Sequence, residues 1–167
     1  MSAFTVRTAT PQDEARVGAL LSVCYATLMA PDYDPVLMKT VLPMMSAANP
    51  ALLACGTYYV AENDGGEIVG CGGWTPEHPG RGDIEPGLGH IRHFATHPAW
   101  TRRGVARALM ARCKAEARAA GIDRLECYSS LSAEAFYAAQ GFRELGPIDI
   151  AFTPDCRLPC VHMACAL

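Results

Sequence analysis

The segment His90-Ile91-Arg92-His93-Phe94-Ala95-Thr96-His97-Pro98, continued by Ala99-Trp100-Thr101-Arg102-Arg103-Gly104-Val105-Ala106, concentrates residue types that could do chemistry. It reads as a strand that enters a turn and then a helix. A helix start carries backbone N–H groups without intrahelical partners at the positive end of the helix dipole. Such a terminus binds a phosphate or pyrophosphate. Gly104 lets an anion approach the backbone, Ala106 keeps the next position small, and Arg102 and Arg103 add positive charge. The same turn is compatible with an ordinary helix start whose arginines are solvated, and by itself it leaves both readings open.

Three other constellations point to less. Strand alternation puts His90, Arg92 and Phe94 on one face and Ile91, His93 and Ala95 on the other. His90, His93 and His97 could suggest a metal site, but His90 and His93 are then opposed, no Cys-x-x-Cys completes a ligand set, and no metal is expected. Arg102, Arg103, Arg107, Arg112 and Arg118 could form a nucleic-acid helix, but a net charge of -3 and the lack of stacking aromatics argue against it. Cys127 could carry an acyl group only with a base or cation beside it, so packing within its strand is the favoured role.

The elements that position these residues follow from periodicity and punctuation. Phe4 to Thr8 alternates as a strand. Thr10-Pro11-Gln12-Asp13 opens a helix with a capping-box pattern, and Val17, Leu20, Leu21, Cys24, Tyr25 and Leu28 form its apolar stripe. A second short helix follows Pro35, with Leu37, Val41, Leu42 and Met45 on one side. Thr57 to Ala61 and Glu67 to Trp74 are strands around the hairpin turn Asn63-Asp64-Gly65-Gly66. Three prolines and four glycines make Pro76 to Gly89 a loop. Gly89 to Thr96 is a strand, Gly104 to Ala120 a helix ended by Gly121, and Leu125 to Tyr128 a strand. Ala133 to Gln140 is a short helix, and the last strands lie near Ile148 to Thr153 and Val161 to Ala166. The order β-α-α-β-β-β-α-β-α-β-β, without repeats or linkers, gives one α/β domain over residues 1–167 with a mixed sheet.

Composition agrees. The 167 residues are 50% hydrophobic and 19% charged, enough for a real core and unlike a disordered chain. No stretch is long and apolar enough to span a membrane. Met1 to Arg7 has no basic segment followed by an apolar run, so a cytoplasmic protein is expected. Eight cysteines sit within apolar segments and are expected as reduced core thiols.

About thirty residues beyond the turn comes Ala133-Glu134-Ala135-Phe136-Tyr137-Ala138-Ala139-Gln140-Gly141-Phe142. Together with Thr101-Arg102-Arg103-Gly104-Val105-Ala106 it resembles the GNAT superfamily of N-acetyltransferases. That family carries a Gln/Arg-x-x-Gly-x-Gly/Ala turn after its fourth strand and an Ala-x-x-Phe/Leu-Tyr-x-x-x-Gly-Phe helix before its sixth. The resemblance implies a GNAT-like acyltransferase fold, a mixed and mostly antiparallel sheet flanked by about four helices. Two positions depart from the pattern. Thr101 stands where the family has Gln or Arg, and Ser130 where it often has Asn. Main-chain N–H groups hold most of the pyrophosphate, so Thr101 is compatible with binding. Ser130 would bond the cofactor or cap its helix, and capping is favoured.

The resemblance further implies acetyl-CoA as co-substrate, with main-chain contacts from Phe94, Ala95 and Thr96 to pantetheine and from Thr101 to Ala106 to the phosphates. It makes Tyr137 the general acid that protonates the departing thiolate. A phenol with an ordinary pKa of about 10 keeps its proton for that step at pH 7. His90 falls where some relatives place a base that takes the amine's proton, and Glu126 on the next strand competes for that role. The expected acceptor is a small-molecule or peptide amine, with at most a second copy of the chain as a homodimer partner, and no nucleic acid or membrane. It would lie along Tyr25 to Met38, Trp74 to Leu88 and Ile148 to Pro159, where Asp32, Tyr33, Asp34, Asp83, Glu85, Asp149 and Asp155 would suit a cation. A second class of function, an acyl-CoA-binding sensor or interaction module without turnover, fits the same motifs.

Overall fold

The computed structural model describes residues 3–167; Met1 and Ser2, which the single-domain expectation includes, lie outside the described residues. The elements are β1 (Phe4–Thr8), α1 (Glu14–Leu28), α2 (Pro35–Met45), α3 (Pro50–Ala54), β2 (Tyr58–Asn63), β3 (Ile68–Thr75) and β4 (Leu88–Thr96), followed by α4 (Val105–Ala119), β5 (Arg124–Ser130), α5 (Glu134–Ala139), β6 (Arg143–Thr153) and β7 (Cys156–Ala166). The strands form one sheet in the order β1-β2-β3-β4-β5-β7-β6. Every neighbouring pair is antiparallel except β4 and β5. No helix among the described residues is long and apolar enough to cross a membrane.

Helices cover both faces. On one, Val105, Leu109, Met110, Cys113 and Ala117 of α4 pack with Trp74, Ile91 and Leu125. On the other, Val17, Leu20, Leu21 and Cys24 of α1 pack with Val60, Cys71 and Ala95. Further along that face, Met38 and Val41 of α2 join Leu158 and Cys160. Each fully buried Leu contributes about 1.5–3 kcal/mol of transfer free energy, so these layers hold the sheet rigid beneath the loops. Thr10 and Asp13 form the expected capping box. Arg7 and Arg16 both reach the buried Asp13 carboxylate, which Arg7 above all holds well below its usual range.

Three expectations need correction. Helix α3 was not anticipated, although its signal is local: the Asn49 side chain caps it by accepting from Ala51 and Leu52 N–H, with Pro50 at the first position. The last two strands are longer than expected, because their prolines sit where no ladder bond is lost. Pro147 lies on the edge strand β6, and Pro159 precedes the stretch Cys160–Ala166 that pairs with β5. The third correction concerns β4. The register steps from Cys71↔Ala95 to Gly73↔Arg92, so Gly72 faces two residues, His93 and Phe94. His93 takes the bulge with φ 41. Alternation therefore breaks there, and Phe94 packs with the α4 cluster on the same side as Ile91, not with His90 and Arg92. A β-carbon at Gly72 would run into the Phe94 ring, which explains the glycine.

Candidate functional site

β4 and β5 pair only through Leu88–His90 and Arg124–Glu126. Beyond that point β4 stays with β3 to Thr96 while β5 stays with β7 to Ser130. The strands part, and a cavity of about 540 Å³ opens between them. Its walls come from the exposed edge of β4 at Phe94, Ala95 and Thr96, the turn before α4, and α5. Two tyrosines secure the bulge that starts this opening. Tyr58 donates to the His93 carbonyl at 2.8 Å, and Tyr25 to the Phe94 carbonyl at 3.5 Å. The His93 imidazole is pushed down to about 4 by burial and by Arg92, so it stays neutral. Holding a non-glycine residue at positive φ costs about 1–3 kcal/mol, a strain typical of functional sites.

The turn is built to aim backbone donors. The His97 ring accepts from Ala99 N–H at 3.1 Å, and the Thr101 hydroxyl donates to the Pro98 carbonyl at 3.1 Å. Arg102 and Gly104 then adopt left-handed backbone, with φ 61 and 84. Gly104 is the N-cap of α4, and no side chain caps that helix start. The first N–H groups of α4 therefore face the cavity mouth without an intrahelical acceptor. This concave row of donors at a positive helix end fits a phosphate or pyrophosphate. Deeper in, the Ser132 hydroxyl is buried without a hydrogen-bond partner among the described residues, and it lines the same cavity. A buried polar group of this kind is normally satisfied, so it fits a bound molecule with polar groups along its length.

Tyr137 lines the cavity from α5, within a ring cluster of Phe94, Phe136 and Phe142. Burial raises its phenol well above 10, so it keeps its proton at any working pH. His90 and Glu126 lie elsewhere. They line a small depression with Pro79, Ile91, Cys127 and Tyr128. His90 is 5% exposed, and its ring meets His78 edge-on at 5.1 Å. Burial first, then the charge of a protonated His78, lower its pKa, while Glu126 opposes them. Both Glu126 oxygens are taken, one by Arg124 at 2.8 Å and the other by His162 at 2.9 Å.

Of the residues singled out from sequence, the cavity brings together Phe94, Ala95, Thr96, Thr101, Arg102, Gly104, Val105, Ala106, Ser130 and Tyr137. Arg103 is turned away over the Trp100 ring at 4.7 Å. Ser130 stands at the N-cap position of its helical turn but makes no side-chain cap bond, contrary to expectation. Two of the acids expected to face a cationic acceptor serve the chain itself. Asp34 caps α2, and Asp83 pairs with Arg81. Sequence reading missed His78 and Tyr128, whose ring nitrogen and hydroxyl lie 2.8 Å apart beside His90, and it missed Ser132. A histidine inside a loop and a serine beside a helix carry no local mark of such contacts. All eight cysteines are free, and Cys127 is buried with its thiol pushed up, which argues against a thiolate nucleophile.

The sequence profile described as the acetyltransferase (GNAT) domain matches residues 54–144. No curated protein sequence matches the chain. Solved structures do. A GCN5-related N-acetyltransferase of Rhodopseudomonas palustris superposes with a TM-score of 0.80 at 22% identity, over 100% of this chain and 98% of that one. The PaiA N-acetyltransferase of Thermoplasma acidophilum, solved in complex with coenzyme A, gives 0.72 at 11% identity over 99% of each chain. The ribosomal-protein-S18-alanine N-acetyltransferase of Escherichia coli gives 0.66 at 15% identity, over 98% of this chain and 94% of that one.

Proposed function

The chain belongs to the GNAT acetyltransferase family, and from that premise we propose that it is an N-acetyltransferase, one domain over residues 1–167, that moves acetyl from acetyl-CoA to a primary amine bound beside it. The observation that carries the reading is the opening between β4 and β5, which ends at a helix start rich in free backbone donors. In this reading the Phe94–Thr96 backbone holds the pantetheine arm, the turn from Thr101 to Ala106 holds the pyrophosphate, and Ser130 and Ser132 offer hydroxyls along the way. Bound acetyl-CoA supplies an activated thioester. The buried free thiols suit a reducing, cytoplasmic setting.

An alkylammonium with a pKa of about 10 must lose a proton before it can attack. His90 takes that proton in its neutral form, through water, since it does not line the cavity that holds Tyr137. Glu126 is the weaker candidate because both of its oxygens are occupied. The nitrogen then bonds to the thioester carbon, the carbon–sulfur bond breaks, Tyr137 gives its proton to the sulfur, and the second proton shed by the nitrogen returns to the Tyr137 phenolate. In this reading a backbone N–H of β4 polarises the thioester carbonyl.

The test is thiol release from acetyl-CoA by the purified chain across amines, polyamines, aminoglycosides and peptides, with the acetylated product identified by mass spectrometry. Amine-dependent release supports the transferase. Tight CoA binding with no release for any amine supports the second reading, an acyl-CoA-binding module, for which Thr101 and Ser130 leave room.

A further inference from the structure

Among the described residues, three arginines are partly buried: Arg7, Arg92 and Arg112. Arg7 pairs with Asp13 and Glu62, and Arg112 with Glu116. No carboxylate of the described residues lies within ion-pair distance of Arg92. Its one side-chain bond goes from Nη1 to the Thr75 hydroxyl at 3.0 Å. That hydroxyl donates its own proton to the Glu77 carbonyl at 2.9 Å, and Thr75 is 5% exposed, so the guanidinium is held in a fixed direction by a neutral acceptor. Its remaining N–H donors have no partner among the described residues.

The position matters as much as the missing partner. Arg92 shares with His90 the face of β4 turned away from α4, and it immediately precedes the bulge at His93. The stretch from Phe94 to Thr96, which lines the cavity, begins two residues later. A partly desolvated cation without an ion pair destabilises a fold, and burial lowers the guanidinium pKa against weaker opposing contributions from Cys55 and Glu77. A planar fork of donors on the strand that leads into the cavity edge matches a carboxylate or phosphate in geometry and charge.

We propose that Arg92 is the oxyanion subsite for the acceptor, and that the acceptor is an amine carrying a carboxylate or phosphate a few bonds from its nitrogen. This rests on the transferase reading, and it narrows the acceptor to zwitterions such as amino acids or aminoalkyl phosphates. It adds an anionic group to the cationic amine that the acidic loop residues would suit.

The test compares matched acceptors on the full chain: L-amino acids against the corresponding decarboxylated amines, and phosphoethanolamine against ethanolamine. The anionic member of the preferred pair should have the higher kcat/KM by roughly 10- to 100-fold. Whether the carboxylate or the phosphate pair shows this identifies the source of the oxyanion. Arg92→Gln should bring the ratio within a pair close to one, mainly through KM, while Arg92→Lys should restore part of it. A variant that lowers both members equally and leaves the ratio intact has lost structure only, and the proposal fails. A second measurement is independent of turnover. The CoA-saturated chain is titrated with N-acetylglycine and with N-methylacetamide by saturation-transfer NMR. Arg92-dependent binding of N-acetylglycine alone supports the subsite even if no amine is acetylated, in which case the transferase reading is what fails. Acetylation of amines without preference, together with equal binding of the two probes, overturns the subsite and leaves the transferase standing.

Discussion

The two halves of β4 present different parts of the polypeptide. From Phe94 to Thr96 the strand offers backbone, because β5 has diverged and its edge is free. The turn into α4 continues that offer with the N–H groups beyond Gly104. At His90 the backbone is still paired on both edges, and from His90 to Arg92 the strand presents side chains: an imidazole against His78 and a guanidinium against Thr75. The bulge at His93 is the boundary, and it puts Phe94 on the opposite face from His90 and Arg92. A backbone site needs only small residues and the right φ angles, so it tolerates many side chains. A side-chain site can be altered by one substitution without changing the fold. This division would let one scaffold keep its cofactor while its acceptor varies.

The most damaging change to the backbone half should be Gly104→Glu. Gly104 sits at φ 84, where any β-carbon costs about 1–2 kcal/mol. The new carboxylate would also stand in the anion site. Calorimetry should show CoA affinity reduced by roughly 10³-fold or more in a folded variant. Gly104→Ala should lose about tenfold from strain alone. Wild-type affinity in Gly104→Glu would place the phosphates elsewhere.

Tyr137→Phe comes next and crosses the boundary, since the ring lines the cavity while its hydroxyl is the proposed proton donor. The ring cluster with Phe94, Phe136 and Phe142 is preserved. CoA affinity should stay near wild type while kcat falls by ~10²–10⁴-fold. The deficit should shrink with an acyl thioester whose leaving thiol has a lower pKa. Wild-type turnover with chemistry rate-limiting would make Tyr137 a packing residue and water the donor.

His90→Ala probes the side-chain half and should cost less, roughly 10- to 100-fold at neutral pH. Burial and His78 lower the His90 pKa below 6.5, so the base form persists as pH falls to that lowered value and is lost only below it. The wild-type acid limb should therefore lie below 6.5. As pH rises, more of the amine is already deprotonated, and the variant's deficit should narrow. A deficit equal at every pH in kcat-versus-pH profiles would return the role to Glu126 or to a water chain.

The same contrast explains what was legible beforehand. The backbone half is written in short-range sequence, as Gly104 and Ala106 after two arginines and as the segment from Ala133 to Phe142. Every residue chosen for it, apart from Arg103, lines one cavity. The side-chain half depends on contacts distant in sequence. His78 meets Tyr128 across fifty positions, and Glu126 meets His162 across thirty-six. Neither pair has a local pattern. The bulge was hidden for a related reason. It arises from the fit of Phe94 over Gly72 on another strand, while the residues of β4 themselves read as simple alternation. Helix α3 is the opposite case, since Asn49 and Pro50 spell out its start.

Thr101→Gln should have the smallest effect, and it tests the comparison most closely. The turn departs from the family pattern here, so a side-chain account of phosphate binding predicts that restoring Gln will bring a large gain. The structure argues otherwise. The Thr101 hydroxyl points back to the Pro98 carbonyl and braces the turn, while the donors that face the cavity mouth belong to the backbone after Gly104. A glutamine amide could add one hydrogen bond to the ligand, worth a net ~1 kcal/mol, and would forfeit the brace, which is worth about as much. CoA affinity should therefore tighten by no more than about fivefold. Thr101→Val, which keeps the shape and removes only the hydroxyl, should weaken binding by a similar factor through a looser turn. Calorimetric titration of the three chains with CoA decides between the accounts. A gain of several hundred-fold in Thr101→Gln would mean that side chains dominate in this half as well, and the division of β4 at His93 would then describe geometry without describing where the binding energy lies.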